Sequence, residues 1–419
     1  MNILFIHQNF PGQFKNLAPA LAARGDRCVA LTLRVKEPTN WKGVRVLPYR
    51  VQRKQGTGTH PWLKDFDTKV LRGEACMRAA RALKERGFEP DVIIAHPGWG
   101  ESLFLRDVWP KARIGLYYEL FYQEHAADAG FDPEFPRSDD ADDAMRLRLK
   151  NLNNMMHFPL GDMGLSPTKY QAATFPEPYQ ERISVIHDGI DTARAVPDEN
   201  VRFALPDGQQ LTRKDEVITF VNRNLEPYRG YHIFMRALPQ LLRDRPHARI
   251  LIVGGEGQSY GAAPTDGISW KQRFIDEVRG EISDADWARV HFLGKIPYEH
   301  FLKLLQLARV HVYLTYPFVL SWSLLEAMSC GAAIVASNTP PVREVIKDGV
   351  TGRLVDFFDS AALAGRISDL LNDPDARATL GTQARALIKT RYDLTSVCLP
   401  EQLTWVDRLA RTKPGGTGS

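Results

Sequence analysis

Two arginines stand six positions apart in the run Asn222-Arg223-Asn224-Leu225-Glu226-Pro227-Tyr228-Arg229-Gly230. The run follows an apolar segment, Val217 to Val221, and precedes an amphipathic one from about His232 to Arg243. A strand entering a helix there sets two guanidiniums beside free helix N–H groups, which suits a diphosphate. Surface ion pairing is the plainer use of two arginines, but the strand-to-helix position favours phosphate. Glu326 is out of place in a different way. It interrupts Leu324-Leu325-Glu326-Ala327-Met328, a segment that reads as buried helix. A carboxylate there needs partners, or it is reserved for a ligand hydroxyl.

A second group gathers in the first half. His96-Pro97-Gly98-Trp99-Gly100-Glu101 and Tyr118-Glu119-Leu120-Phe121-Tyr122 each follow an apolar run, Asp91 to Ala95 and Arg113 to Tyr117. Aromatic rings pack against the C–H faces of a sugar, while a carboxylate and a histidine take its hydroxyls. Core aromatics around a satisfied His96 are the competing reading, yet several polar groups converge at strand ends. Gly12 lies at another strand-to-helix turn, where it permits either close approach by a ligand or simply a tight turn.

The elements that must carry these residues are alternating strands and helices. Val310 to Leu314, a helix starting at Ser321 or Ser323 and ending at Gly331, and Ala332 to Ala336 form a βαβ unit with parallel strands. The chain opens the same way, with a strand at Ile3 to Ile6, a helix from about Gln13 to Ala23 and a strand at Cys28 to Leu33. Helices are further expected at about 66–86, 144–158, 360–372, 374–392 and 396–411. The polar run Pro197 to Asp215 separates the two series and reads as a linker. In such sheets ligands sit beyond the carboxyl ends of the strands, where Lys295 also falls, after Gly294.

At 419 residues there is material for two domains. A formal charge of +4 is too small to imply nucleic acid and fits an anionic small ligand. Four scattered cysteines show no metal spacing and read as reduced thiols. No signal peptide or membrane-length apolar run is present, so a cytoplasmic protein is expected. Arg34 to Lys64 holds eight basic residues and one acidic residue, with Trp41, Tyr49 and Trp62 among them and a loop at Gln55 to Thr59 that reads as mobile. Peripheral contact with an anionic membrane is one use for it, and a solvated face without a role is the stronger one. The acidic stretch Asp128 to Asp143 lacks the spacing of a calcium loop and reads as a solvated helix start. No metal is expected.

Taken together, Ile6 to Gly12, Val185 to Asp191, Arg223 to Gly230, Val253 to Gly255, Phe292 to Gly294, Leu324 to Gly331 and Gly349 to Gly352 resemble retaining glycosyltransferases of family 4. The resemblance covers nearly the whole chain. It implies a GT-B fold, an α/β architecture of two Rossmann-like parallel-sheet domains facing a cleft. On this basis an acceptor domain spans 1–200 and a donor domain 201–390. A helix at 391–412 crosses back to the first domain, and a disordered tail occupies 413–419.

The resemblance also implies roles. Arg223 and Arg229 take the places of the family's basic pair that holds the donor diphosphate. Gly12 falls in the loop near donor and acceptor, Lys295 near the base, and Glu326 at the ribose-binding glutamate. The family's other glutamate lies eight positions earlier, where Phe318 stands here. Contacts to the transferred sugar are then expected from backbone groups of Val319 to Trp322, or another residue substitutes; Ser321, Trp322, Ser323 and Leu324 are counted with the donor site. Where many members have a catalytic-site histidine, Glu119 stands, with His96 as the other candidate. Pro340-Pro341 replaces the usual Gly-Gly before Glu344. HQNFPGQF, FDPEF and PFVLSWSLLEAM resemble a subgroup found in bacterial surface-polysaccharide clusters.

The expected activity is retaining transfer of a sugar from a uridine or guanosine diphosphate sugar to a hydroxyl of a glycan, lipid-linked or small-molecule acceptor. No cofactor is needed. A nucleotide-sugar epimerase and a nucleotide-sugar-binding pseudoenzyme are the rival readings.

Overall fold

The computed structural model describes residues 1–124, 127–135 and 140–413. Residues 136–139 of the acidic stretch Asp128 to Asp143 and the tail beyond Lys413 lie outside them. The described chain divides into two compact units. The first comprises 1–130, 134–189 and 395–419, and the second 131–133 and 190–394.

The first unit is built on an eight-stranded sheet. Its strands are β1 (Asn2–Ile6), β2 (Arg27–Thr32), β3 (Thr39–Trp41), β4 (Val44–Pro48), β5 (Val92–Ala95), β6 (Arg113–Tyr117), β7 (Met163–Ser166) and β8 (Ile183–Val185), in the order β3-β4-β2-β1-β5-β6-β7-β8. All neighbours are parallel except β3 and β4. Ile3 to Ile6 are fully buried, as a strand covered by helices on both faces must be. One covering helix is Leu399–Arg411, whose Trp405 is buried and donates to the Gly164 carbonyl at 3.1 Å.

Several elements differ from the sequence reading. Arg34 to Lys64 contains the hairpin β3–β4, closed by Lys42 and Gly43, both with positive φ as a two-residue hairpin turn requires. Its eight basic residues are all exposed, but Tyr49 is buried and donates to Glu101 at 2.6 Å, so it is no part of a surface. The first helix is Leu17–Ala23, preceded by a 3₁₀ turn at Gly12–Lys15. The expected helix at 144–158 is two helices, Asp140–Lys150 and Leu152–His157.

The second unit has a small antiparallel pair, β9 (Arg202–Ala204) and β10 (Gln210–Thr212). It also has a six-stranded parallel sheet of β11 (Val217–Asn224), β12 (Arg249–Gly255), β13 (Val290–Gly294), β14 (Val310–Tyr313), β15 (Ala333–Ser337) and β16 (Arg353–Val355). The sheet order is β13-β12-β11-β14-β15-β16. The stretch expected to be a linker is therefore folded: Phe203, Leu205 and Leu211 are buried in the core of this unit. Helix Trp322–Ser329 joins β14 to β15, with Ser321 as its N-cap and Gly331 at positive φ beyond its end, as the sequence indicates.

Candidate functional site

In the second unit, β11 lies between β12 and β14, so the residues after each strand converge at one sheet edge. They enclose a cleft of about 220 Å³ lined by Val221, Asn222, Arg223, Asn224, Arg229, Tyr260, Ser321 and Ser323. Arg229 ends the 3₁₀ turn Pro227–Arg229 and is 4% exposed. Its Nη1 donates to Tyr313 Oη at 3.2 Å, Thr315 Oγ1 at 2.9 Å and the Val319 carbonyl at 3.0 Å. The Tyr260 hydroxyl is a further hydrogen-bond partner, and the guanidinium lies over the Tyr260 and Phe318 rings at 5.0 and 5.6 Å.

All these partners are neutral. Among the described residues no carboxylate makes an ion pair with Arg229; the buried Glu226 acts on it electrostatically without contacting it. Arg223 is exposed at the rim, and among the described residues its side chain has no hydrogen bond or ion pair. One fixed and one free guanidinium facing one cleft form a receptor for an anion with several oxygens.

Tyr260 belongs to no regular element, so its place depends on side-chain anchors. The buried Glu226 accepts from the Ser259 and Tyr260 amides, each at 3.2 Å, and Asn224 Nδ2 donates to Ser259 Oγ at 2.7 Å. Asn224 Oδ1 and Glu226 Oε1 are buried with no partner among the described residues. Tyr260 does not stand out in the sequence, because a loop residue far along the chain from Arg229 carries no periodic signal; Glu226 lies in the same run as Arg229, but nothing local shows that it anchors the loop at Ser259 and Tyr260.

The remaining donor-side residues are placed differently. Phe318 packs its ring against Tyr260 and Tyr228, with centroids at 4.9 and 5.5 Å, and so backs the cleft. Leu324 is fully buried in the core, leaving only its backbone for a ligand. Trp322 starts the helix, and its ring packs against the same core. Glu326 has found a protein partner, since Tyr298 Oη donates to its Oε1 at 2.6 Å, and it does not line the cleft. Lys295 reaches the cleft's margin: a Cβ on Gly255 would lie 2.4 Å from Lys295 Cε and 2.6 Å from Asn224 Oδ1.

The first unit has its own cleft, of about 120 Å³, whose lining includes Lys69, His96, Trp99, Tyr117, Glu119, Tyr122, Lys150 and Asn153. Adjacent parallel strands β1, β5 and β6 end in register and deliver His7, His96 and Tyr117 side by side. His96 is 2% exposed and stacked between Trp99 and Tyr117, with ring centroids at 4.4 and 5.5 Å. The Gly98 amide donates to its Nδ1 at 3.1 Å, which leaves Nε2 to carry the proton of the neutral ring. That nitrogen lies 3.6 Å from Glu119 Oε2, too long for a direct hydrogen bond, and has no other partner among the described residues. Gly12, at φ +49°, makes room for a side chain rather than a ligand here: a Cβ on it would lie 2.1 Å from His7 Nε2.

The structure thus brings Arg223, Arg229, Ser321 and Ser323 together in one unit, and His96 and Glu119 in the other. Comparison with known proteins agrees with this architecture. Residues 24–195 match the profile described as Glycosyl transferase family 4 group, and residues 203–387 match Glycosyl transferases group 1. The D-inositol 3-phosphate glycosyltransferase of Mycobacterium sp. (strain KMS) is 27% identical over 341 residues, 78% of this chain and 70% of that protein. The phosphatidyl-myo-inositol mannosyltransferase of Mycolicibacterium smegmatis is 31% identical over 44% of this chain and 43% of its own length.

Sucrose-phosphate synthase from Thermosynechococcus elongatus superposes with a TM-score of 0.74 at 20% identity, covering 98% of this chain and all of that one. Anabaena HepE, solved with UDP and glucose, gives 0.66 at 18% identity, covering 97% of this chain and 100% of HepE. Two Rossmann-like units with their polar clefts at strand ends make this chain a glycosyltransferase of the GT-B fold. Within that class it belongs to glycosyltransferase family 4.

Proposed function

We propose that the chain moves a sugar from a nucleoside diphosphate sugar to a hydroxyl acceptor, with retention of anomeric configuration. The observation that carries this reading is the buried Arg229 guanidinium, surrounded by neutral partners and facing a cleft it shares with the unpartnered Arg223. A leaving diphosphate gains charge as the C–O bond breaks, and two guanidiniums in a partly dehydrated site stabilise that charge. Fixing Arg229 before the ligand arrives spares the cost of organising it during the reaction.

The acceptor oxygen attacks the anomeric carbon, and its proton passes to the departing phosphate oxygen. Glu119 and His96 orient the acceptor hydroxyl: the carboxylate accepts from it and His96 Nε2–H donates to it. The donor base stands near Lys295 and the ribose near Glu326. The segment from Ser321 to Leu324 offers the sugar its backbone groups and the two serine hydroxyls. UDP is the first nucleotide to test, since the structurally similar HepE was solved with it.

The acceptor is a glycan, a lipid-linked glycan or a small polyol. A relative named for an inositol phosphate acceptor supports including the last. A role in bacterial surface-polysaccharide synthesis fits the same motifs, with peripheral membrane contact through the exposed basic residues of Arg34 to Lys64. No helix among the described residues is long and apolar enough to cross a membrane.

The test is release of nucleoside diphosphate from a panel of UDP and GDP sugars, with and without acceptors. Release that depends on one donor and is stimulated by an acceptor is expected. A protein that binds UDP but releases none, under every acceptor condition, is not a transferase.

A further inference from the structure

The turn between β1 and helix Leu17–Ala23 contains a hydrogen-bonded chain that ends on Glu119. The Asn9 amide donates to His7 Nδ1 at 2.9 Å. A backbone N–H can only donate, so Nδ1 is the acceptor nitrogen and the proton of the neutral ring is on Nε2. His7 Nε2 stands 2.7 Å from Gln13 Oε1 and donates to it. That bond fixes which way the Gln13 amide faces: its NH₂ group points to Glu119 Oε1, at 3.3 Å. Each link sets the direction of the next, from a backbone amide to a carboxylate in the first unit's cleft.

The chain holds one sense across ordinary pH. Burial first, and the neighbouring His96 second, push the His7 ring down to about 3, so it stays neutral. Gly12 is part of the device, because the 3₁₀ turn passes so close over the His7 ring that no Cβ fits. On the other side of the carboxylate, the Gly98 amide fixes His96 by the same logic.

We propose that His7 and Gln13 are positioning residues that aim the Glu119 carboxylate at the acceptor hydroxyl. The inference rests on the acceptor role proposed for Glu119. Gln13 occupies one carboxylate oxygen, which turns the other toward His96. The 3.6 Å gap between Glu119 Oε2 and His96 Nε2 leaves room beside it for one oxygen in hydrogen-bond range of both. A hydroxyl placed there donates to the carboxylate and accepts from the imidazole. Without the chain the carboxylate loses one of the bonds that hold it in that geometry, a loss of orientation that costs rate rather than donor binding.

The test reads Glu119 directly and needs no turnover. The full chain is labelled with ¹³C at the glutamate carboxyl carbons, and the Glu119 resonance is assigned by its absence in Glu119→Gln. Among the described residues, the charged and titratable groups that act on that carboxylate or share its cleft include His7 through Gln13, His96, Tyr117, Lys69 and Lys150. All of them are unchanged in Gln13→Leu except the link to His7. Removing a donor disfavours the carboxylate, so the Glu119 midpoint moves to higher pH in Gln13→Leu and further in Gln13→Glu, where a second carboxylate faces it.

UDP binding is retained in both variants, and transfer to acceptor falls through kcat rather than donor KM. Gln13→Ala serves as the same probe if Gln13→Leu does not fold. A Glu119 midpoint that does not move in any Gln13 variant overturns the proposal. If the midpoint moves but no nucleotide sugar is turned over, the positioning chain stands and the transferase reading fails.

Discussion

The second unit's cleft is built around a cation that no carboxylate among the described residues contacts; the first unit's is built around a carboxylate to which the protein supplies donors. Arg229 is buried among hydroxyls, a carbonyl and aromatic rings, so it is ready for an anion that arrives from outside. Glu119 receives Gln13 on one oxygen and faces His96 on the other, and it is partly exposed. The protein surrounds the cation with neutral contacts and aims the carboxylate by hydrogen bonds. The proposed function gives leaving-group stabilisation to the cation and acceptor orientation to the carboxylate.

Arg229→Met is the harshest way to break the comparison. Removing a preorganised cation from a site of charge development costs roughly 10²–10³ in kcat/KM for the nucleotide sugar. Tyr313, Thr315 and the Val319 carbonyl also lose a shared partner, so the melting temperature falls as well. Full turnover in this variant would remove the phosphate assignment.

Glu119→Gln is next. It keeps shape but loses the charge, and transfer drops by about 10² while UDP affinity is unchanged. Loss of UDP binding instead would show that the two clefts do not divide the work as described. Tyr260→Phe is the mildest. It keeps the ring against Phe318 and deletes one neutral partner of Arg229, at a cost of about 1 kcal/mol, or roughly fivefold in UDP affinity by calorimetry. A loss as large as that in Arg229→Met would mean that Tyr260, not the arginine, carries the binding.

The parts of the fold that the sequence displays are those buried on both faces. Ile3 to Ile6 is a continuous apolar run, and Val217 to Val221 is interrupted only by the buried Thr219, because helices cover both sides of each sheet. Short amphipathic hairpins were harder to see. Strands β9 and β10 sit in a polar stretch, and the signals that mark them are alternation at Phe203 and Leu205 and an Asp207-Gly208 turn. Arg223, Arg229, His96 and Glu119 each follow the apolar part of a strand, and all four line the two clefts.

His7 stands in the same position after β1 as His96 does after β5, and that shared pattern was the signal to follow. Glu326 has a partner that no local pattern marks. An isolated carboxylate in an apolar helix demands a partner, but sequence does not distinguish a ligand from Tyr298, whose hydroxyl meets it across the unit. Tyr260 and Glu226 depend on tertiary contacts with no local signature.

The most direct test of the central claim compares UDP with uridine by titration calorimetry, using the wild-type chain and Arg223→Met. Arg223 is exposed and holds no other group among the described residues, so its removal leaves the fold intact. The assignment of a diphosphate-binding cleft requires that uridine bind much more weakly than UDP, and that Arg223→Met weaken UDP binding by about tenfold at an unchanged melting temperature. Equal binding of uridine and UDP, or undiminished UDP binding in Arg223→Met, would contradict it.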